Sequence, residues 1–453
     1  MSNDIKQSVS KKGIWGWMLF DWAAQPFHTL ILTFIFAPYF TSQVANNDII
    51  GQSYWGYAIG ITGILIALLS PILGALADTT GPRKPWIFGF AIIGCIASFC
   101  LWYIPPQADT STMIWGLIAI GFALLGFEFS AVFNNAMMPD LVPREELGKL
   151  SGSSWALGYI GGLFCLVLML GFMVGDTETG KTLLGFSPIF GLDSASSEGD
   201  RASGPLTAIW LAIFIIPLLL FTPDKSRVTS HSGAIRKSLT SLKNTLRSLP
   251  KQKSLTSFLL SSMLYRDALN GLYAFGGIYA AGILQWSIIQ IGIFGIVANI
   301  AGAVGAWFGG KMDARFGSKT VVTYCVWLLI FASVIIVSTD QQHVLWLNVA
   351  DEAGQTNLPN IVFYLCGAII GAAGGSLQAS SRTLMVDQAD PNKMGEAFGL
   401  YALSGRATSF IAPISIAFFT SLFASQRIGI TPVIGLFVLS LFLLPMVHSR
   451  LTK

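Results

Sequence analysis

Six charged side chains stand inside long apolar stretches: Asp21, Glu128 and Asp267 against Arg266, Arg382 and Arg406. Their formal charges cancel. In hydrocarbon an unpaired charge costs roughly 2.5–3.5 kcal/mol even on the gentlest scale, so such residues pair with one another or line a wet cavity. A carboxylate in that setting takes up or releases a proton as its neighbours change, and a guanidinium recognises an anionic group. The chemistry on offer is proton exchange and the binding of a small polar solute. The structural alternative is pairing that only holds helices together. Arg382 lies four residues before the end of its stretch and suits snorkelling equally; Arg406 lies near the middle of its own and reads as a cavity residue.

Local spacing adds detail. Pro26 has no N–H for the carbonyl of Trp22. Freed carbonyls at membrane depth are tolerated where they line water or substrate, so a polar break is expected at 21–28, carrying Asp21, Gln25 and His28; a plain packing kink is the alternative. Arg266 and Asp267 diverge by ~100° on a helix. They therefore do not pair, which leaves Arg266 for Asp21, Glu128 or an anionic substrate group. Glu128 and Asn135, seven apart, share a helix face, and Asn134-Asn135 reads as a cap for backbone groups. Of four histidines only His28 lies deep in an apolar run, and a lone His reads first as a satisfied core residue. No H-E-x-x-H, P-loop or G-x-G-x-x-G is present, so an enzyme is not expected. Cys95, Cys100, Cys165, Cys325 and Cys366 sit in apolar runs without C-x-x-C spacing, and neither a metal site nor a cofactor is expected.

These residues need elements to hold them. Hydrophobic residues make up 53% of the 453, and charged residues only 11%, against about 25% in a soluble protein. Fifty charges cannot cover that much apolar surface. Unbroken apolar runs also exclude a transmembrane barrel, whose strands alternate, and a net charge of +4 with scattered basic residues gives no nucleic-acid footprint. The runs fall at about 15–42, 53–77, 85–105, 113–138, 151–174, 205–222, 254–282, 286–310, 320–338, 359–386, 396–424 and 428–447. In lipid each must be a helix. With the N-terminus inside, 21 of the 27 Lys and Arg fall on inner segments and three on outer ones. This asymmetry places both termini in the cytoplasm. The expectation is an all-α polytopic membrane protein of twelve transmembrane helices in two six-helix halves, 1–222 and 254–453. The linker 223–253 carries Ile235, Leu239, Leu242, Leu246 and Leu249 at helical spacing among basic residues and reads as an amphipathic surface helix; a disordered connector is its alternative. Segment 175–204 reads as an outer loop.

The halves resemble each other. Asp21-x-x-x-Gln25-Pro26 matches Asp267-x-x-Asn270-Gly271, and Asp140-x-x-Pro143 matches Asp387-x-x-x-Pro391. Gly74-x-x-x-Asp78-x-x-Gly81-x-Arg83-Lys84 matches Gly309-x-x-x-Asp313-x-x-x-Gly317-x-Lys319, with one extra residue before Gly317. Parallel repeats around a midplane site are a transporter architecture. Small residues four apart, Gly158/Gly162, Gly305/Gly309 and Gly367/Gly371/Gly375, read as helix-packing positions.

The stretch Gly74–Lys84 resembles the signature loop of the major facilitator superfamily. There Gly74 allows close helix approach, Asp78 faces a helix dipole, Gly81 turns the chain, and Arg83 and Lys84 anchor at the inner surface. Phe20-Asp21-Trp22-Ala23, Val132-Phe-Asn134-Asn135-Ala-Met-Met-Pro139-Asp140, Ser154-Trp155-Ala156-Leu-Gly158-Tyr159 and Gly399-Leu-Tyr401-Ala402-Leu-Ser404-Gly405 resemble the vacuolar amino-acid effluxer (autophagy-related) branch and its bacterial relatives. The chain departs at Ala24-Gln25-Pro26, where that branch tends to Asn-Ser-Ala, and at Arg266, often an amide. The resemblance implies twelve spans and solute efflux. We therefore expect a secondary transporter that moves a small polar, amino-acid-like solute outward, with protons as the coupling ion. The alternative is a sugar or peptide importer on the same fold. Asp21, Gln25, Glu128, Arg266, Asp267, Asn270 and Arg406 are the expected binding or coupling residues; Gly74, Asp78, Gly81, Arg83, Lys84 and Asp313 are the expected gating residues. A bacterial inner membrane is expected from the short termini, compact loops and lack of an N-x-S/T sequon, and a monomer is the expected state.

Overall fold

A computed structural model describes residues 9–45, 48–176, 179–225, 240, 243–245, 247–286, 288–351, 356–423 and 425–449. The chain forms two compact units, residues 1–142 with 157–238, and residues 143–156 with 239–453. Most of the linker helix expected within 223–253 lies outside the described residues.

In the first unit the helices are α1 (Lys11–Pro26), α2 (Phe36–Tyr39), α3 (Asp48–Thr80), α4 (Lys84–Cys100), α5 (Thr110–Met137), α6 (Leu147–Leu168, whose first turns belong to the second unit), α7 (Glu198–Phe214) and α8 (Ile216–Phe221). Capping side chains set several starts. Ser10 accepts the Gly13 N–H at 3.2 Å before α1, and Asp109 accepts the Thr112 N–H at 3.4 Å before α5. The second unit holds α9 (Lys253–Ile283), α10 (Ile288–Phe316), α11 (Ser318–Val337), α12 (Leu358–Gln388), α13 (Met394–Ala407), α14 (Ile411–Phe423) and α15 (Gln426–Leu443). A hairpin of β1 (His343–Val344) and β2 (Leu347–Asn348) joins α11 to α12, with His343 opposite Asn348.

Among the described residues nine helices are long and apolar enough to cross a membrane. Three of the expected spans are not single helices; the sixth divides at Ile215 into α7 and α8. After Pro26 the first continues as π-helix, Phe27–Phe34, bends at Ile35, and ends in a second π segment, Phe40–Val44. The eleventh stops at Ala407 and restarts at Ile411. Pro413 accounts for that break, because it has no N–H for the Ser409 carbonyl and its ring clashes with a continuous helix there.

Several described helices carry apolar outward bands. Ile61, Ile64, Leu65 and Leu68 of α3, Phe88, Ile92, Ile96 and Phe99 of α4, and Ile300, Val304 and Phe308 of α10 are exposed at helical spacing. In water such bands would aggregate; they are the surface a bilayer covers. Inward, helices meet through small residues. A Cβ on Gly126 of α5 would fall 2.5 Å from the Gly94 nitrogen of α4. In the second unit Gly305, Gly309, Gly371 and Gly375 hold the α10–α12 seam, against Ala372, Ser376, Ala298 and Gly302, the packing role their spacing suggested.

Candidate functional site

In the first unit α1 and α5 run side by side. The Trp17 indole donates to the Asn134 carbonyl at 2.7 Å, and ten residues on Phe27 stacks on Phe127 at 4.3 Å. Asp21 and Gln25 on α1, and Glu128 on α5, lie within the stretch these two contacts bracket. All three are half-buried. On the other side α6 presents glycines: a Cβ on Gly158 would sit 3.4 Å from the Asp21 Cβ, and one on Gly162 would sit 2.8 Å from the Gln25 Cγ. The fold thus places Asp21, Gln25 and Glu128 in one bracketed stretch of α1 and α5, with α6 glycines against Asp21 and Gln25.

Two local expectations change. The Trp22 carbonyl released by Pro26 accepts the Trp210 indole N–H at 3.1 Å, and the two indoles stack at 5.5 Å. A side chain of α7 occupies it instead of water or substrate. The irregular stretch also lies further along than 21–28, at 27–44, because α1 stays regular up to Pro26. The Asn134 side chain caps nothing: its amide is fully buried, with neither atom hydrogen-bonded among the described residues.

The signature loop is a closed ionic network. Arg83, only 2% exposed, reaches Asp78 at 3.2 Å and Asp140 at 2.9 Å. Lys225 adds a second cation to Asp140 at 3.4 Å. Gly81 turns the chain at φ 95°, a conformation glycine adopts without strain. The N-terminus of α4 is capped by Asp224, whose carboxylate accepts the N–H groups of Arg83 (2.9 and 3.0 Å) and Lys84 (2.8 Å). Sequence reading missed Asp224, which looks like one more linker charge. Gly74 is buried in α3.

The repeat recurs here in the second unit. Gly317 turns at φ 85°. Lys84 donates to the Leu219 carbonyl at 3.0 Å, and Lys319 to the Pro445 carbonyl at 3.2 Å, near the ends of the sixth and twelfth apolar runs. The extra residue before Gly317 matters: one residue rotates a helical side chain by ~100°. Asp78 meets an arginine, whereas Asp313 is 2% exposed and pressed against Gly148, with Ser318, Ser380 and Thr383 about it. Asp387 matches Asp140 in the repeat and pairs with Arg144. Arg382 is 3% exposed and does not snorkel. It donates to the Ser151 hydroxyl at 3.1 Å and carbonyl at 3.0 Å, and lies 5.4 Å over the Trp155 ring.

Arg266 and Asp267 diverge as expected, but both address the broken eleventh run. The Arg266 guanidinium lies 4.3 Å over the Tyr401 ring and donates to the Tyr401 carbonyl at 3.0 Å. It fills the space a side chain at Gly405 would need: a Cβ there would stand 2.5 Å from its Cζ. Asp267, 2% exposed, accepts the Ala412 N–H at 2.8 Å, capping α14. Asn270 is exposed, and the Arg406 side chain lies outside the described residues. Trp155 and Tyr401, 246 residues apart, each carry a guanidinium on the ring, a likeness visible in sequence only as Trp-Ala-Leu against Tyr-Ala-Leu.

Outside the spans, Asp340 closes a loop latch. It meets Arg427 at 2.6 Å and the His343 ring at 2.9 Å. Partial burial pushes its carboxyl up, but the N–H groups of Gln342 and His343, the His343 ring and Arg427 outweigh burial and hold it at about 2. Among the described residues no cluster of metal-ligating side chains occurs.

The family model described as vacuole effluxer Atg22-like matches residues 41–452. The chain belongs to this family. It is similar to the uncharacterized MFS-type transporter YxiO of Bacillus subtilis, 23% identical over 96% of this chain and 94% of the relative. It is also similar to autophagy-related protein 22-1 of Aspergillus clavatus, 22% identical over 88% of this chain and 74% of that one. Solved structures share the fold. The proton:xylose symporter XylE matches with TM-score 0.67 at 12% identity, over 95% of this chain and 93% of that one. The human organic anion transporter MFSD10 matches with TM-score 0.65 at 17% identity, over 96% and 99%. The protein is thus a multi-pass membrane protein of a major facilitator transporter family, and not an enzyme.

Proposed function

We propose that this Atg22-like protein exports a small polar, amino-acid-like solute by alternating access, with protons as coupling ion. The architecture in this reading is twelve spans, both termini cytoplasmic, two halves at 1–222 and 254–453 joined by 223–253, working as a monomer in a bacterial inner membrane. One observation carries it: Asp21, Gln25 and Glu128 lie in a single bracketed stretch of α1 and α5. Two carboxylates and an amide there receive an ammonium group through charge-assisted hydrogen bonds. The same carboxylates serve as proton acceptors when the solute is absent, so one region binds and couples in turn. The description of the matching family, vacuole effluxer Atg22-like, supports efflux as the direction.

The test is transport in proteoliposomes with a panel of amino acids, dipeptides and sugars. Asp21→Asn and Glu128→Gln are expected to abolish pH-driven transport and to retain exchange at equal concentrations. If neither variant alters the pH dependence, proton coupling through this cluster fails, and a uniporter or sodium-coupled carrier becomes the better account.

A further inference from the structure

The eleventh run is broken by Pro413, and the restart of α14 leaves backbone donors without intrahelical acceptors. Pro413 itself has no N–H, and the Ile411 N–H closes onto the Thr408 carbonyl at 2.8 Å. The Ala412 N–H is the one that faces α9, and it donates to Asp267 Oδ2. One turn along α9, a Cβ on Gly271 would lie 3.1 Å from the Ala412 Cβ. Asp267 and Gly271 therefore address the same residue, one as a cap and the other as the clearance that lets α14 come close. The second carboxylate oxygen, Oδ1, is buried with no hydrogen-bond partner among the described residues, as is the Thr408 hydroxyl at the break.

We propose that Asp267 is a proton-operated latch on the break in the eleventh span: ionised, it pins the start of α14; protonated, it lets that start move. This deepens the reading above and rests on it for the link to transport. Oδ1 takes a proton from water and later returns it to water; no other bond is made or broken. The ionised form gives the Ala412 N–H a charge-assisted bond, about twice as strong as the bond a neutral carboxyl offers. Among the described side chains, several other ionisable groups of the second unit have contacts of their own. On α9, Tyr265 bonds the Ser381 hydroxyl and Arg266 lies on Tyr401. On α12, Arg382 holds Ser151 and Asp387 holds Arg144. Asp313 of α10 lies against Gly148 and Arg427 of α15 pairs with Asp340. Segment 411–423 has no ionisable residue, and α13 contributes Glu396 and Arg406.

Two substitutions separate capping from titration. Asparagine caps a helix as well as aspartate does but does not titrate; alanine does neither. The measurement is amide hydrogen exchange of the segment around Ala412 in the full-length protein, corrected for the intrinsic pH dependence of exchange. In the wild type, protection of this segment is expected to fall about tenfold from neutral to acid pH, the scale of weakening a charge-assisted bond. Asp267→Asn should stay protected and flat, and Asp267→Ala should be unprotected at every pH. A flat wild-type profile, or an Asp267→Asn profile that tracks the wild type, overturns the latch. In proteoliposomes Asp267→Asn should exchange solute yet lose the response to a pH gradient, and an unchanged response also overturns it. If the exchange profiles behave as expected while no panel solute moves, the latch stands and the proposed function falls.

Discussion

Pro26 and Trp210 offer a quantitative test of how this fold tolerates a broken span. Trp210→Phe keeps an aromatic ring against Trp22 but removes the N–H that serves the Trp22 carbonyl. Leaving a half-buried carbonyl unserved costs about 1–3 kcal/mol, and the smaller ring adds a packing loss. Pro26→Ala supplies an amide four residues after Trp22, so the carbonyl regains an intrahelical donor. Trp210→Phe made in that background should then cost only the packing loss. The two costs are compared as a double-mutant cycle of thermal unfolding in detergent, which cancels the packing contribution. A coupling energy of about 1–2 kcal/mol is expected, read as a visibly smaller drop in midpoint when Pro26 is already replaced. Equal drops in both backgrounds would show that the indole N–H does nothing for that carbonyl, and that the bond is incidental to the stacking.

Single cysteines introduced at positions 195 and 232 should be labelled from outside and not from outside, respectively; equal labelling would sink the twelve-span topology. Asp78→Asn should cut transport strongly while leaving the protein folded, since Arg83 keeps Asp140 as a partner; normal transport would show that the loop network has no role in the cycle. The Asp340 latch follows acid titration. Its folded carboxyl titrates at about 2, below the usual carboxylate range, so its contribution to stability is fully present above about pH 4 and is lost as pH falls through 2. Replacing Arg427 with Gln should shift that loss to higher pH, and an unchanged acid limb of the unfolding profile would rule out the pairing.

What could be read in the sequence was whatever depends on residues close together in the chain. Arg266 and Asp267 had to diverge, because consecutive helical positions do, and they do. Their partners, Tyr401 and Ala412, lie more than a hundred residues away, and no periodicity names them. Proline shows the same limit from another side. Pro26 stands beside Gln25 and His28, so the break there announces itself; Pro413 is flanked by Ile, Ala and Ser in an otherwise apolar run and reads as part of one continuous span. Asp224 was invisible for the opposite reason, being one charge among many in a charged stretch, although it caps α4 with both oxygens.

The repeat explains why some landmarks recur and others do not. Features fixed by backbone geometry recur: the glycine turns at 81 and 317, and the lysines that reach carbonyls at 219 and 445. Features fixed by side-chain pairing have diverged. Arg83 serves Asp78 and Asp140 in the first unit, and the residue before Lys319 is Ser318, which brings no charge. In the second unit Asp387 takes its arginine from position 144, and Asp313 is left among hydroxyls. A turn with φ near +90° strongly favours glycine, so it drifts little; a salt bridge can change partner whenever another cation comes within reach. Duplicate halves that keep the frame and re-pair the charges acquire different electrostatics on one backbone plan. In the proposed cycle that difference separates two tasks, binding for the carboxylates of α1 and α5 and latching for the carboxylate of α9.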